Sequence, residues 1–389
     1  MSPAGDRESL EAALRFGADA VYMGGPMLQL RSEKAAFSEE SLAQAVSCAH
    51  SLGKKVYVTV NSFAVNDEIA LCGDYARLLQ GLGADAAIIS DIGVLAEFRR
   101  AAPDLECHIS TQANCQNYAA ARVYYEMGAR RIVLAREMTL DEIRRLRDNT
   151  PPDLELEAFV HGAMCMAYSG RCILSSFLND RSGNRGECSQ PCRWNYALTE
   201  EKRPGEYFPI EENDGFTTIL SSHDLCCIEH LDELAAAGVS SFKIEGRMKT
   251  AYYVATVTGA YRRAMDGTAS MDDCIREVLS LKHRPYSTGF YYGQVREHHN
   301  NSGRYSKDCT FIANVLGREG DCLVLRQRNR FCVGDTLEAL SPNVSGSFTV
   351  TEIRTPEGES RQAAPHPNET LLVPCSLDLQ PGDFLRRRE

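Results

Sequence analysis

The sequence predicts an α/β fold, a (β/α)8 TIM-like barrel with a long cysteine-bearing loop after strand 7, followed by a small all-β barrel. From Arg7 to about Met265, short apolar runs alternate with amphipathic segments, as in parallel α/β folds. This alternation predicts about eight strands over roughly 260 residues, the usual size of such a barrel. Gly-Ala-Asp and Gly-Val turns recur at positions 17–19, 83–85 and 238–239, after helices and before strands. Helix C-caps are needed at such places. The regular recurrence of these turns favours a barrel over a doubly wound sheet.

The barrel strands are predicted from β-branched and apolar runs bounded by Gly, Asp or Asn. They are Ala20–Gly24, Lys55–Asn61, Asp85–Ser90, Glu106–Ser110, Arg131–Ala135, Leu154–Val160 and Ser241–Ile244. The chain opens at MSPAGD without a preceding apolar run, so we expect the first strand in clipped form.

The barrel helices are predicted from amphipathic periodicity and from capping residues. Ser38 and Thr139 are suitable N-caps, since their hydroxyls can accept from the first free backbone N–H groups. The predicted helices are Glu39–Ser51, Ile69–Leu82, Gly93–Ala102, Asn117–Met127, Thr139–Asp148, Ile228–Ala237 and Ala251–Met265.

The pattern changes after Gly267 and indicates a second domain. A short helix is expected at Met271–Leu281, and from Cys309 onward short β-like runs are separated by Gly, Pro, Asn and Asp. We therefore predict a catalytic barrel over 1–270 with its cysteine loop at 161–222, a linker and short helix over 271–308, and an antiparallel β-barrel over 309–389. Small barrels of this kind often bind RNA or form a lid.

The composition is that of an ordinary soluble protein with an acidic balance. Hydrophobic residues make up 43% of the chain, charged residues 24%, and the formal net charge is −11. No apolar run approaches the ~18 residues that a membrane span needs, so we expect a cytoplasmic protein. An acidic surface repels nucleic acid, and any RNA contact then needs a local basic patch. The candidates are Arg181, Arg185, Arg193, Lys202, Arg203 and Arg386 to Arg388.

The loop after the seventh strand concentrates cysteines in a Gly- and Ser-rich stretch. It carries four of the chain's fifteen cysteines, with the spacing C-x6-C-x15-C-x3-C: Cys165, Cys172, Cys188 and Cys192. Loops this long are usually functional or disordered, and the four thiols argue for a group that holds this one in place.

Three cross-links are considered for these thiols. Disulfides need an oxidising compartment, and no secretory signal precedes the fold. Zinc sites favour repeated thiol pairs two to four residues apart, and only Cys188 and Cys192 are that close. An iron–sulfur cluster takes four thiolates and tolerates uneven spacing. The spacing alone leaves these three alternatives open. A fourth is that the cysteines are simply small apolar side chains buried in the core.

A distinctive pattern lies within Glu157–Ser175. It is G-x-x-C-x-x-x-x-G-x-C-x-[aliphatic]-S, over residues 162–175. Two further stretches accompany it, SPAGD at Ser2–Asp6, followed by GADAVYMG, and FKIEGRMKTAYY at Phe242–Tyr253. Together they resemble the collagenase-like peptidases of unknown catalytic type, over nearly the whole chain. That family includes the prephenate-dependent tRNA uridine hydroxylases, a ribosomal RNA cytidine hydroxylase and the ubiquinone-pathway hydroxylation proteins.

The resemblance implies a 4Fe–4S cluster on Cys165, Cys172, Cys188 and Cys192. Some family members draw a ligand from beyond the motif, so Cys226 is an alternative fourth ligand. The resemblance also implies tRNA as partner, prephenate as co-substrate, and hydroxylation of the wobble uridine to 5-hydroxyuridine. The RPGEY run at Arg203–Tyr207 is similar to that branch.

Candidate site residues follow the predicted strand ends, where barrel enzymes place their chemistry. We expect catalytic roles for three of them: Glu245, His161 and Arg247. We expect substrate binding by a further set: Arg136, Arg171, Gln112, Asn61 and Lys243. Arginine forks suit the two carboxylates of prephenate, and Glu245 can accept a proton or pair with an arginine.

Other functions stay open. A peptidase needs a nucleophile with a base, for which His161 with a free cysteine, Ser169 or Ser175 are conceivable. Hydroxylation of another RNA base or of a small molecule is a further alternative. A third is an iron–sulfur module that acts with a protein partner or as a homo-oligomer.

Overall fold

A computed structural model describes residues 1–30, 36–165, 167–194, 198–199, 207–208, 222–293 and 307–389. The chain forms two compact units. The first contains Met1–Leu10, Ala18–Lys249 and Arg284–Tyr305, and the second contains Glu11–Gly17, Thr250–His283 and Ser306–Glu389. Among the described residues, no helix has the length and apolar character needed to cross a lipid bilayer.

The strands of the first unit are β1 Ser2–Pro3, β2 Ala20–Gly24, β3 Lys55–Val60, β4 Ala86–Ile89, β5 Glu106–Ile109, β6 Ala129–Val133, β7 Glu155–Ala163, β8 Leu198–Thr199, β9 Tyr207–Phe208, β10 Asp224–Cys226, β11 Ser241–Ile244 and β12 Tyr286–Ser287. The helices up to residue 236 are α1 Arg7–Arg15, α2 Glu39–Ser51, α3 Asn66–Gly81, α4 Ile92–Ala101, α5 Tyr118–Glu126, α6 Leu140–Asp148, α7 Leu174–Asn179 and α8 Leu231–Ala236.

Eight parallel strands form the predicted (β/α)8 barrel. β1 to β7 pair in sequence order, and β11 pairs parallel to β7. Backbone hydrogen bonds complete the ring, because Met1 N donates to Phe242 O (2.7 Å) and Ile244 N donates to Met1 O (3.0 Å). The expected first strand is present as β1, which pairs Ser2 with Val21.

The predicted N-caps are confirmed. The Ser38 hydroxyl accepts from the backbone N–H of Ser41 at 3.2 Å, and Thr139 forms a capping box with Glu142. β6 begins two residues earlier than predicted. Gly128, at φ +97°, ends the preceding helix, so that Ala129 already pairs with Cys107 of β5.

The sequence pattern misses the short strand β10, which changes the edge of the barrel. β10 runs antiparallel to β7, with Leu225 opposite Gly162 and Cys226 opposite His161. This pairing extends β7 to Ala163, three residues beyond the predicted end at Val160. His161 therefore lies within a strand rather than after one.

The barrel interior contains a buried charged cluster that joins three strands. The Glu157 carboxylate of β7 accepts from Lys243 Nζ of β11 at 3.1 Å and lies 3.3 Å from Arg131 Nη1 of β6. Burial by itself would raise the pKa of Glu157, but the two cations and the Ser241 hydroxyl outweigh burial and lower this pKa. The carboxylate is therefore ionised and holds β6, β7 and β11 together.

The second unit is the predicted all-β domain with additional helices. Its helices are α9 Ala251–Asp266 and α10 Met271–Leu279. Its strands are β13 Cys309–Glu319, β14 Cys322–Gln327, β15 Phe331–Cys332, β16 Thr336–Leu340, β17 Ser347–Thr349, β18 Ile353–Arg354, β19 Ser360–Arg361, β20 Ala363–Ala364, β21 Thr370–Pro374 and β22 Phe384–Arg388. The main sheet has the order β17-β16-β22-β13-β14-β21-β18-β19. The helix α9 lies in this unit, whereas the sequence pattern assigns it to segment 1–270.

Arg386 to Arg388 belong to β22 and do not form the basic surface considered from sequence. Arg386 is buried and donates to Glu277 and Glu338 at 2.6 Å each. Arg387 pairs with Asp335 at 2.8 Å and Arg388 with Glu338 at 3.3 Å. These carboxylates neutralise the three arginines, so the prediction of a basic patch at this place is wrong.

Glu157→Leu is expected to lower the free energy of unfolding by about 3–5 kcal/mol, because two buried cations lose their carboxylate. Lys243→Met should cost less, since Arg131 and Ser241 still contact Glu157. Urea unfolding followed by circular dichroism measures both changes. The matched control is Asp74→Asn, which breaks the exposed pair with Arg77 and should change stability by less than about 0.5 kcal/mol. An equal loss in Glu157→Leu and Asp74→Asn would contradict the role of the cluster.

Candidate functional site at the barrel mouth

The carboxyl ends of the barrel strands carry an ion pair at their mouth. Glu245, directly after β11, has its carboxylate 3.7 Å from Arg136 Nη2 and 3.5 Å from the Tyr22 hydroxyl. Arg136 also donates to Ala163 O at 2.9 Å and lies 3.8 Å from the centre of the Phe159 ring. The ion pair with an arginine, which the sequence predicts as one possible role of Glu245, is thus present. The Phe159 ring orients the Arg136 guanidinium.

Arg247 is buried beneath the same mouth. Its Nη1 donates to the Thr59 hydroxyl of β3 at 2.9 Å. Glycines make room for it: a Cβ on Gly24 would lie 2.5 Å from Arg247 Nη1, and one on Gly5 would lie 1.9 Å from Arg247 O. This close packing explains why glycine occupies both positions. It also holds the Arg247 guanidinium in one place.

His161 lies on β7 and is buried. Its Nε2 is 3.3 Å from the Tyr286 hydroxyl, and the two ring centres are 5.3 Å apart. Tyr286 belongs to β12, in the stretch that the sequence predicts as linker. The histidine is therefore placed by a residue that no sequence pattern identified.

Three buried polar atoms near the strand ends have no hydrogen-bond partner among the described residues: Asn61 Oδ1, Arg136 Nε and Glu137 Oε2. Asn61 Nδ2 donates to the Ser110 hydroxyl at 3.3 Å, so only its carbonyl side is left unsatisfied. Buried polar groups normally have partners. One donor and two acceptors at the mouth are therefore available to a bound molecule.

Two further side chains that were expected to bind substrate, Lys243 and Arg171, lie away from the strand ends. The ammonium of Lys243 is buried inside the barrel, where it pairs with Glu157 and lies 4.5 Å from the Tyr22 ring centre. Burial lowers its pKa. Arg171 is exposed on the cysteine loop. The structure thus brings Asn61, Arg136, Glu245 and Arg247 to the strand ends, whereas Lys243 serves the charged cluster.

We define the cysteine segment as residues 165 and 167–194, which follow β7. Gly170 packs on the Gln112 backbone, and a Cβ at Gly170 would lie 2.1 Å from Gln112 O. Ser169 N donates to Glu137 Oε1 at 3.0 Å. Gln112, expected to bind substrate, thereby supports this segment through its main chain.

A second anchor fixes the far end of the cysteine segment. Arg185 donates to the Phe63 carbonyl at 2.7 Å and pairs with the Glu68 carboxylate at 2.9 Å. The hydrogen bond from Arg185 lowers the pKa of Glu68. Arg185 is therefore engaged with the barrel, and of the candidate basic residues beside the cysteines, Lys202 and Arg203 lie outside the described residues.

The other three thiols of the cysteine segment act electrostatically on Cys192. Burial raises the pKa of the Cys192 thiol, Arg193 lowers it, and the neighbouring Cys165, Cys188 and Cys172 raise it further. Cys165 and Cys188 are exposed, and none of the four is in a disulfide. In the described part of the chain, no three His, Cys, Asp or Glu side chains form a group that could hold a metal ion. Zinc and an iron–sulfur cluster therefore both stay predictions for this segment.

Cys226 lies on β10 beside Cys227, and its charge acts on that buried thiol. The choice between Cys192 and Cys226 as fourth ligand stays a prediction.

Sequence reasoning identified Glu137 among the polar residues after the strand ends but missed Tyr22 and Thr59 as supporting residues of the mouth. Thr59 lies near the end of β3, which was a usable signal. The role of Tyr22 depends on the ring closing, because its hydroxyl donates to Ile244 O, 222 positions away, at 2.9 Å. No local pattern contains that contact.

Comparison with known proteins assigns the family. Residues 5–301 match the model of peptidase family U32, and residues 307–386 match that of the U32 C-terminal domain. The chain belongs to peptidase family U32. The first match covers the barrel and the cysteine segment, as the motif resemblance predicted.

Several U32 relatives carry names that refer to RNA hydroxylation. The tRNA hydroxylation protein P of Escherichia coli is 35% identical, over 98% of this chain and 94% of its own. The tRNA hydroxylation protein P1 of Bacillus subtilis is 35% identical, over 100% of this chain and 94% of its own. The 23S rRNA 5-hydroxycytidine C2501 synthase of Escherichia coli is 39% identical, over 68% of this chain and 39% of its own.

Gly170→Ala is expected to detach the cysteine segment from the barrel of this U32 protein. Alanine would adopt φ +72° and push its Cβ against the Gln112 carbonyl. Faster deuterium uptake in peptides from residues 165–194 would show the detachment. Gly53→Ala is the matched control, because Gly53 has φ +67° and nothing within 4 Å of its Cβ position. It should cost only the left-handed backbone energy, about 1–2 kcal/mol, and leave uptake in the segment unchanged. Equal uptake in both variants would contradict this anchor.

Proposed function

We propose that this protein is an iron–sulfur-dependent RNA hydroxylase that converts the wobble uridine of tRNA to 5-hydroxyuridine with prephenate as oxygen donor. The observation that carries the proposal is similarity over nearly the full length to two proteins named for tRNA hydroxylation. The ribosomal relative, named for 5-hydroxycytidine, extends the same chemistry to a second pyrimidine.

The donor set of the cysteine segment suits a 4Fe–4S cluster. Cys165, Cys172 and Cys188 act electrostatically on Cys192, and two of the four thiols are exposed. Each of the four irons of such a cluster would take its own thiolate, so a cluster needs thiols spread around a larger body than a single ion. Cys165, Cys172, Cys188 and Cys192 would hold it, with Cys226 as the alternative fourth ligand. When bound, such a cluster supplies one-electron transfer next to the barrel mouth.

The arginines at the mouth are suited to a dicarboxylate co-substrate. Arg136 has an unsatisfied Nε and only a 3.7 Å contact from Nη2 to Glu245. A carboxylate that bridges Nε and Nη2 would complete its hydrogen bonding in a bidentate fork. Arg247 and the exposed Arg171 are the candidates for the second carboxylate of prephenate.

Glu245 is suited to accept the proton that leaves the base. Hydroxylation replaces a C–H bond of the base by a C–OH bond and removes two electrons from the base. A C–O bond of prephenate would break, and prephenate would take up these two electrons together with the proton from Glu245. Arg136 and Tyr22 hold the Glu245 carboxylate at the mouth. The carbonyl of Asn61 offers an acceptor for an N–H on the edge of a uracil ring. His161, positioned by Tyr286, is a second candidate for proton transfer.

The peptidase alternative gains little from the geometry. A serine nucleophile needs a base within hydrogen-bond reach, but the Ser175 hydroxyl lies 3.1 Å from the Ser189 hydroxyl and accepts from Ser189 N at 3.0 Å. This hydroxyl joins two parts of the cysteine segment. These contacts favour a structural role for Ser175 over that of a nucleophile.

The purified protein, isolated without oxygen, is expected to add one oxygen atom to the wobble uridine of tRNA when prephenate is present. Mass spectrometry of digested tRNA measures the product, and iron and sulfide assays on the same sample should give about four of each per chain. Cys172→Ser should abolish both the product and most of the iron. Cys72→Ser, at a buried helical thiol outside the segment, is the control and should keep both. Comparison of Cys192→Ser with Cys226→Ser identifies the fourth ligand. Unmodified tRNA with a fully loaded protein would refute the proposal.

Arg136→Lys is expected to raise the KM for prephenate by about 10- to 100-fold, because a hydrogen bond to a charged group contributes about 1.5–3 kcal/mol. The KM for tRNA should change little, since lysine keeps the positive charge. Steady-state kinetics with each substrate varied in turn separates the two. Arg100→Lys, at an exposed position on α4, is the control. An unchanged KM for prephenate would exclude Arg136 from the carboxylate site.

A further inference from the structure

Large apolar side chains are exposed on the cysteine segment to a degree that packing does not explain. Five of its residues are exposed: Tyr168, Ile173, Phe177, Leu178 and Trp194. Phe177 is 82% exposed and Ile173 is 70% exposed. Concentrated apolar exposure of this kind marks interaction sites on soluble proteins.

The exposed face of α7 is fixed by contacts on its opposite side. Ser175 is buried, and its hydroxyl accepts from Ser189 N at 3.0 Å. Phe177 N donates to Ile173 O at 2.9 Å, so these two side chains lie one helical turn apart on the same face. The helix therefore presents Ile173 and Phe177 outward as a consequence of how it is anchored.

Positive charge accompanies the exposed rings. The cysteine segment contains four arginines and two acidic residues, within a chain whose net charge is −11. Arg185 is paired with Glu68, whereas Arg171 and Arg181 are exposed and Arg193 is partly exposed. A local basic surface with aromatic rings fits an anionic, flat-ringed ligand better than a purely apolar one.

We propose that Phe177, Trp194 and Tyr168 form a stacking surface for unpaired bases of an RNA loop, with Arg171, Arg181 and Arg193 contacting its phosphates. Every base has a flat face that stacks on an aromatic ring, and arginine binds phosphate through its planar fork. This surface rests on the proposed function, which supplies RNA as the substrate, and it adds where the RNA binds.

The position of the surface agrees with that use. The segment is tied to the strand ends through Gly170 on Gln112, Ser169 on Glu137 and Arg185 on Phe63. An RNA loop that stacks on the segment is therefore held close to the mouth that contains Glu245. Stacking outside the mouth would leave one base free to enter it, as enzymes that modify bases require.

Binding of a fluorescently labelled anticodon stem-loop to the full-length protein, followed by anisotropy, tests the surface. Phe177→Ala and Trp194→Ala are each expected to weaken binding by about 5- to 100-fold, the range for loss of one base–aromatic stack. Tyr118→Ala is the matched control, because Tyr118 is 43% exposed and Trp194 is 41% exposed. It should bind as the unsubstituted protein does, and circular dichroism checks that all variants fold.

Two more variants at Phe177 distinguish stacking from apolar contact. Phe177→Tyr keeps the ring and should keep the affinity, whereas Phe177→Leu keeps apolar area without a ring and should lose it.

Arg181→Gln should lower the slope of log affinity against log salt by about 0.7, the contribution of one phosphate on a single strand. Trp194 is the only tryptophan in the chain, so RNA binding should also change its fluorescence.

The possible failures are distinguishable. If the unsubstituted protein binds the RNA and Phe177→Ala and Trp194→Ala bind equally well, the stacking surface is refuted while the proposed function stands. If Phe177→Leu binds as tightly as Phe177→Tyr, the face is an apolar docking site, and size-exclusion chromatography would then show self-association. If the unsubstituted protein binds no RNA, both the surface and the proposed function fail.

Discussion

The buried carboxylate of Glu157 is the interaction on which the barrel depends. It lies between Lys243 of β11 and Arg131 of β6, and so connects the strand before the cysteine segment with two of its neighbours. Charges inside a protein are costly unless they are paired and hydrogen-bonded. The cluster satisfies that requirement only when the three strands are in register, so it selects the ring in which β7 and β11 are adjacent. The position of β7 then decides where the cysteines begin.

The mouth and the cysteine segment are built from the same strands. β7 ends at Ala163, whose carbonyl binds Arg136, and the first cysteine follows two residues later. Arg136 in turn contacts the Glu245 carboxylate after β11. A cluster on the segment, a carboxylate-binding arginine and a proton acceptor would thus share one short stretch of structure. The proposed reaction would require this closeness, because it needs electron transfer, oxygen donor and base in one place.

The acidic net charge of the chain is compatible with an RNA substrate when the positions of the charged side chains in the fold are taken into account. The C-terminal arginines form ion pairs with Glu277, Glu338 and Asp335, and Arg185 forms one with Glu68. Exposed arginines remain in the described part of the cysteine segment, beside exposed aromatic rings. Repulsion by the rest of the surface would then favour RNA that approaches through this segment.

The sequence by itself determined the fold class, the strand at Ser241–Ile244, the N-caps at Ser38 and Thr139 and the family motif, because these depend on periodicity and on residues close together in the chain. Tertiary structure decided what local patterns cannot contain. It buried Lys243 against Glu157, added β10 to β7, and brought Tyr286 to His161 across 125 positions. It also turned the arginines of β22 into ion pairs. Each of these outcomes depends on which distant side chains meet, and burial then sets the energetic cost of leaving a charge or a polar atom without a partner.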